Sequence, residues 1–574
     1  MTKLSKTSIN KTLIAGIFLC LALTFAHVDG AAWSRRTGWD IVSYLDVGDA
    51  ILRGDWHAAL NSYWSPLYGF IFAIVNKIFA NFSSELVRLE FFNLSIFFLL
   101  ALAFGYLTDT LRKTLEKVED DSNFLLSDNL LPVVLYTTFI YCALAICGIR
   151  YKTPDVMSAL ICMLFFCLWL PAILKPISTG RALLLGFLLG LSYLAKSVLI
   201  NWAGLVILCL LINRKLYKIT NKQLVCLVAA AGVTVAAWAL PVSINVGHAT
   251  LNDVMTVGQA WMSTLQPDLV QVHGRGPTFK HPTREFFKNP DFYEFVTPFD
   301  VSYSPWYAPA YWFEGVPWKG SMSHYRTTLV AKIPKLMASY LGVLLVGFGL
   351  LWLVTRSPFS SKRLRICLPM ILPGAAALFA FAVLFEPEGR YFIAFTLPLF
   401  ASLFTCLKSA DRESKIFWQI LTVKGITAYM MLVCLSIFLM QFYFFSPGFA
   451  NYLKSATKVE LPPSPPYSAH EGTVSVLKGL GVVEGDRVAR ISTLGHGEFY
   501  WARGGKFKVV AECVNPAQFA QATAERRDLV YQKLRQLGVK AIVEDWSQDQ
   551  EEYPLCKDSG WIQVPGTRNW VYRL

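Results

Sequence analysis

At 574 residues, 54% hydrophobic and 14% aromatic with only 16% charged, the chain lies far outside soluble globular composition, where about 25% of residues are charged. That excludes an ordinary soluble domain and points to a membrane protein. The formal charge of +14 does not call for nucleic acid, because the basic residues fall in short clusters between apolar runs and not along one face or arm.

Read for runs of about twenty apolar residues, the chain gives about eleven expected spans. They lie near 12–28, 88–108, 129–148, 156–174, 182–197, 199–212, 223–244, 328–355, 364–386, 390–407 and 425–447. The first has a basic start and a short apolar core. It is read as an uncleaved anchor; a cleaved signal peptide is the alternative, although "HVDGAAW" offers no A-x-A site.

Directly after it, "GWDIVSYLDVGDAILRGDW" at 38–56 carries Asp40, Asp46, Asp49 and Asp55. Ile41, Tyr44, Leu45, Gly48, Ile51 and Leu52 share one helical face, so an amphipathic helix on the membrane surface is expected, with Asp40 at its start. A capping role for Asp40 would be worth about 1 kcal/mol. Asp46, Asp49 and Asp55 are expected to be solvated.

The run "SPLYGFIFAIVNKIFANF" at 65–82 is short and contains Asn76 and Lys77. Read as a helix at the interface, it leaves the Lys/Arg clusters after the other spans on one side, the cytoplasm by the positive-inside rule. The segments 29–64, 245–327 and the tail from about 457 then face outward.

The tail follows the Pro-rich linker "ELPPSPPYSAH" and reads as a soluble α/β domain over 457–574, beyond a transmembrane domain over 1–456. Its expected strands are "DRVARIST", "KFKVVAEC" and "VKAIVED", with "QFAQATAERRDLVYQKLRQLG" as one long helix and "WIQVPGTRNWVYRL" as a hairpin. "GLGVVEG" lacks the spacing of a dinucleotide loop. Ten of the twelve cysteines lie in apolar runs; Cys513 and Cys556 do not, and would be free to pair on an oxidising side.

Asp40, four residues before Tyr44, then "RGDW", an aromatic-rich gap and "PLYGFIFA" resemble the first external loop of the glycosyltransferase-C (GT-C) superfamily. In particular they resemble the bacterial branch related to protein O-mannosyltransferases and lipid A aminoarabinose transferases. "RYKTPDVMSALICMLFF" (150–166), "GFLLGLSYLAKSVLI" (186–200) and "EPEGRYFIAFTLPLFA" (386–401) are similar to that branch's "PD", "GLxxLxK" and "RY" helices, in the same order. The chain departs from many relatives where they have Asp-Glu and it has Asp40-Ile41, and where they have Glu-Lys and it has Trp64-Ser65. The missing lysine requires another grip on the donor phosphate.

The resemblance implies a polytopic α-helical membrane protein of GT-C type. It would transfer a sugar, with inversion, from a polyprenyl-phosphate donor to a lipid, protein or polysaccharide acceptor outside a bacterial inner membrane. Asp40 is then the candidate base that takes the acceptor's proton. Arg390, Arg150, Lys152 and Lys196 are candidates for the phosphate, arginine through its fork. Lys196 is expensive inside a span at about 2.5–3.5 kcal/mol, unless it snorkels.

Asp155, Tyr44, Tyr391, Trp306 and Tyr307 are candidate sugar or acceptor contacts. The last two lie in "SYSPWYAPAYWFEGVPWK", although Asp155 would also serve as a helix cap and the aromatics as an interfacial belt. His273 and Arg275 rank lower. Some superfamily members use a divalent cation, and no acid cluster in the sequence compels one. The competing readings are a flippase for lipid-linked sugars, which predicts paired broken helices, and a polymerase or ligase using diphosphate-linked oligosaccharide.

Overall fold

The computed structural model describes residues 39–119, 124–126, 130–143, 152–254, 283–295, 299–308, 341–355, 359–384, 388–408, 422–435, 469–492, 499–513, 516–544, 560–565, 567 and 569–574. Five of the described helices are long and apolar enough to cross a membrane: Glu85–Val118, Asp155–Ile173, Asn221–Val246, Ser361–Phe381 and Gly389–Cys406. Shorter apolar helices at Leu130–Ala143, Thr179–Ala195, Leu199–Ile212, Gly342–Leu353 and Thr422–Leu435 stand at other places where spans are expected. The expected segment 12–28 lies outside the described residues.

The chain divides into two compact units, one of 1–27, 90–241 and 321–450 and the other of 28–89, 242–320 and 451–574. The first is helical. Its large apolar side chains point outward as well as inward, with Phe91, Tyr106, Ile212, Val233 and Phe379 all exposed, a surface suited to hydrocarbon and costly in water. Small residues permit one close helix approach. A Cβ on Gly186 would meet the Leu227 carbonyl oxygen at 2.1 Å, and one on Gly190 would meet Thr234 Cβ at 2.4 Å, so these glycines let the Thr179–Ala195 helix lie directly on Asn221–Val246.

The second unit begins with the Trp39–Arg53 helix, which packs on Pro66–Ile78. A Cβ on Gly69 would meet the Tyr44 carbonyl oxygen at 1.8 Å, and one on Gly48 would meet Gly69 O at 2.1 Å. Backbone therefore touches backbone where these helices cross. At 13 residues the second helix is too short to span hydrocarbon, which takes about 20; it buries Tyr68 and Phe72 and leaves Ile78 exposed, with Phe82 exposed in the turn that follows.

The rest of this unit is built on a seven-stranded sheet in the order β1-β2-β4-β3-β5-β7-β6. β3 (Arg487–Ile491) pairs in parallel with β4 (Lys508–Cys513) and β5 (Val539–Glu544), and β6 (Trp561–Gln563) with β7 (Trp570–Arg573) forms the expected hairpin. The sheet does not stop at the tail. β1 (Thr283–Phe287) and β2 (Phe292–Phe295) come from the 245–327 segment and extend it through an antiparallel pairing of β2 with β4.

The single long helix expected in the tail is two, Pro516–Gln521 and Ala524–Gln536. The break lies where Thr523 caps the second, its hydroxyl accepting from Arg526 N at 3.4 Å. Cys513 is buried, while Cys556 lies outside the described residues.

Candidate functional site

Within the helical unit, Asp155, Lys196, Arg390 and Tyr391 converge from three stretches of sequence. Asp155 stands in the first turn of Asp155–Trp169; Pro154, with φ −67°, occupies the capping position. Asp155 is thus not the cap. It is 3% exposed and accepts from the Thr153 hydroxyl at 2.6 Å and from the Lys196 ammonium.

Lys196 closes the Thr179–Ala195 helix as its C-cap, with extended backbone. A cation suits the negative end of the helix dipole. Its Nζ lies 3.8 Å from the centroid of the Tyr391 ring, a cation–π geometry. Lys196 therefore does not hang free in a span, since a carboxylate and a ring both hold it.

Arg390 lies in the 3-10 turn Gly389–Phe392 that leads into the Ile393–Cys406 helix. Its Nε donates to Glu388 at 2.5 Å and its Nη2 to the Tyr391 hydroxyl at 3.2 Å. Lys152 pairs with Glu90 at 3.0 Å. Glu388 and Glu90 were not singled out from the sequence, because only the fold reveals which carboxylate meets which cation. Their side chains are 46% and 42% exposed, against 3% for Asp155. The pairs on Arg390 and Lys152 are open to exchange with another anion, whereas the pair on Lys196 is built in. Arg150, His273 and Arg275 lie outside the described residues.

In the second unit, Asp40 stands in the first turn of the Trp39–Arg53 helix, half-buried. Tyr44, one turn on, is buried against Trp64, with ring centroids 4.9 Å apart, and Tyr68, 6.2 Å apart. Trp64 Nε1 donates to the Trp306 carbonyl at 3.1 Å, and the Tyr307 hydroxyl donates to the Ala58 carbonyl at 2.5 Å. Trp306 and Tyr307 are both buried, and they lock the 299–308 segment to the helices of residues 39–78 in a packed arrangement.

The expectation that Asp46, Asp49 and Asp55 are solvated fails for Asp46, which is buried, while Asp49 and Asp55 are part-exposed but engaged. Asp55 caps a short helix, accepting from Ala58 N at 3.2 Å. Asp46, 6% exposed, takes Arg503 Nη1 at 2.6 Å, Ser302 N at 2.9 Å and the Ser302 hydroxyl at 3.2 Å. Arg503 also reaches Asp49 at 2.9 Å and Glu85 at 2.9 Å, and Tyr500 donates to Glu85 at 2.6 Å.

Burial pushes the Asp46 carboxyl up to about 6, with Asp49 adding to the rise and Arg503 and the Ser302 N–H opposing it. Burial alone would lower the Arg503 guanidinium, but Glu85, Asp49 and Asp46 raise it well above its ordinary value. Sequence reasoning missed this cluster because its arginine lies more than 400 residues from its acids. Among the described residues, no group of three His, Cys, Asp or Glu side chains is placed to hold a metal ion.

No family model matches the chain, and no curated protein does. Among solved structures, ArnT from Cupriavidus metallidurans, bound to undecaprenyl phosphate, aligns over 97% of both chains at 13% identity with a TM-score of 0.50. An oligosaccharyltransferase from Archaeoglobus fulgidus, tethered with an acceptor peptide, aligns over 93% of this chain and 68% of its own at 12% identity and a TM-score of 0.41. The same organism's AglB, in complex with an inhibitory peptide and a dolichol-phosphate, aligns over 93% and 69% at 12% identity and 0.40. The fold of this chain is thus similar to that of ArnT over 97% of both chains, apolar membrane-length helices followed by a region that contains a sheet in this chain.

Proposed function

We propose that the protein is a glycosyltransferase that takes a sugar from a polyprenyl-phosphate donor and passes it, with inversion, to an acceptor on the outer face of a bacterial inner membrane. The observation that carries this reading is the cation group Lys196–Arg390, braced by Asp155 and Tyr391, in a fold that in ArnT accompanies bound undecaprenyl phosphate. Lys196 and Arg390 both lie over the Tyr391 ring, 3.8 Å and 5.0 Å from its centroid, so one ring joins the two cations.

An incoming phosphate competes with the carboxylates already present. Glu388, half exposed, yields Arg390's fork to the phosphate oxygens, while buried Asp155 stays and keeps Lys196 oriented. The leaving phosphate thus meets fixed positive charge as the anomeric bond breaks, which is where electrostatic stabilisation counts most. Lys152, paired with exposed Glu90, is the next available cation. Asp40 is assigned the acceptor's proton, with Tyr44 behind it as packing. A hexose or a pentose fits this scheme equally, and so does a lipid, protein or polysaccharide acceptor.

The test is transfer from a panel of radiolabelled polyprenyl-phosphate sugars by purified protein and by Asp40→Asn. Loss of transfer by Asp40→Asn at unchanged thermal stability, with donor binding retained, supports the reading and names the sugar. Full activity removes Asp40 from the chemistry. A wild-type protein inert towards every donor, but able to move lipid-linked sugar across vesicles, replaces the enzyme with a flippase.

A further inference from the structure

Arg503 meets three carboxylates within the second unit. It is buried, and its Nε, Nη1 and Nη2 reach Glu85, Asp46 and Asp49. These acids belong to two separate segments, the Trp39–Arg53 helix and the start of the Glu85–Glu119 helix. Arg503 itself belongs to the short Tyr500–Gly505 helix, which leads into β4.

The same junction is fastened twice more. Ser302, bound to Asp46, accepts at its carbonyl from Val509 N at 3.1 Å, and the Tyr303 hydroxyl donates to Glu512 at 2.7 Å. Val509 and Glu512 are both residues of β4.

We propose that Arg503 is a positioning residue for transfer: its forked guanidinium fixes the Trp39–Arg53 helix, and with it Asp40, to the α/β domain. The inference rests on the reading that Asp40 serves in the chemical step. Asp46 lies about 9 Å further along the helix than Asp40 at 1.5 Å per residue, and Asp49 lies nearly one turn beyond Asp46. Two anchors on one helix, close to a turn apart, set both its rotation and its axial position. A single ion pair sets neither.

The fork matters because three carboxylates spread around one side chain are met by donors on three separate nitrogens in a rigid plane, whereas an ammonium crowds its three rotatable donors onto one atom. An arginine outside the reacting centre is accordingly expected to act on turnover and not on donor affinity, because small misplacements of a reacting group cost up to about a hundredfold in rate.

The experiment compares wild type, Arg503→Lys and Asp49→Asn. Asp49 is part-exposed, so its replacement spares the fold even if Arg503→Lys does not. Two readouts are taken: amide hydrogen exchange along 39–53 and in β3–β5, and kcat and KM for the donor. The expected result for Arg503→Lys is exchange about tenfold faster in 39–53, with the sheet unchanged. Its kcat is expected to fall about tenfold or more with donor KM within about threefold. Asp49→Asn should move both readouts the same way by less.

Unchanged exchange in 39–53 in both variants overturns the inference, as does a wild-type kcat in both. A parallel rise in KM with kcat retained overturns it too. If wild type transfers nothing, the function reading fails on its own, and the exchange data still decide whether Arg503 holds the helix.

Discussion

Lys196 Nζ and the Tyr391 ring centroid are 3.8 Å apart, although 195 residues of chain separate the two positions. The ammonium is thereby held between a ring and the buried Asp155 carboxylate. Lys196→Met removes one partner of a buried pair and should cost roughly 3 kcal/mol, the low end for such losses. Adding Asp155→Asn to Lys196→Met should recover most of that, because no uncompensated charge then remains. Thermal unfolding of the two single variants and the double variant measures the coupling.

Arg390 and Glu388 make opposite predictions. Arg390→Lys keeps the charge and loses the fork, and should raise donor KM by about tenfold, near 1.4 kcal/mol. Glu388→Gln removes the carboxylate that competes with phosphate at 2.5 Å from Arg390 Nε and should lower donor KM. A binding titration with polyprenyl phosphate alone reads both; equal shifts in the same direction would refute the exchange model.

Gly69 admits no side chain. Gly69→Ala puts a Cβ 1.8 Å from a backbone carbonyl, and backbone cannot move aside as a flexible side chain can. The expected loss is about 3 kcal/mol or more, with transfer falling as the helix bearing Asp40 is displaced. Gly204→Ala, where nothing lies within 4 Å, should be near neutral in the same unfolding assay.

Asp46 titrates at about 6 against an ordinary 3.8. A carboxyl raised on folding contributes stability that is complete below about pH 4 and lost as pH rises through 6. The sign is thus the reverse of an exposed salt-bridged aspartate. Asp46→Asn, which keeps an acceptor for Ser302, should narrow the difference in unfolding temperature between pH 4.5 and pH 7.5. A difference as large as that of wild type would mean that Asp46 is not the group responsible.

Tyr307 offers a control on the aromatic segment. Its hydroxyl is buried on the Ala58 carbonyl at 2.5 Å, and Tyr307→Phe should cost about 1–2 kcal/mol of stability while leaving donor KM unchanged. A change in KM without a change in unfolding temperature would return Tyr307 to the sugar.

How much of this was legible in the sequence depended on range. Apolar runs placed the helices, because a 20-residue hydrophobic stretch is a local signal, and the order of the "PD", "GLxxLxK" and "RY" segments pointed to a fold that ArnT shares. Asp155, Lys196 and Arg390 each stood out as a charge in or beside an apolar run, and the fold brings them together. Asp46 and Asp49 were misjudged because an acid on a helix looks the same in sequence whether it meets water or a buried arginine hundreds of residues later. The β1–β2 hairpin was missed for the same reason: its partner strand, β4, is supplied by the tail.

That hairpin bears on the order in which the chain can mature. The unit that includes Asp40 is assembled from residues 28–89, 242–320 and 451–574, and its sheet borrows strands from two of these. During synthesis the first two segments leave the ribosome with β2's pairing edge open and Asp46 and Glu85 still without Arg503. Only when residues 503–513 arrive does the acid pair find its counter-ion and the edge close against β4. A nascent chain stalled before that point would hold its packed helix pair beside acids without their arginine and a bare strand, so the last stretch to be made completes both the charge cluster and the sheet.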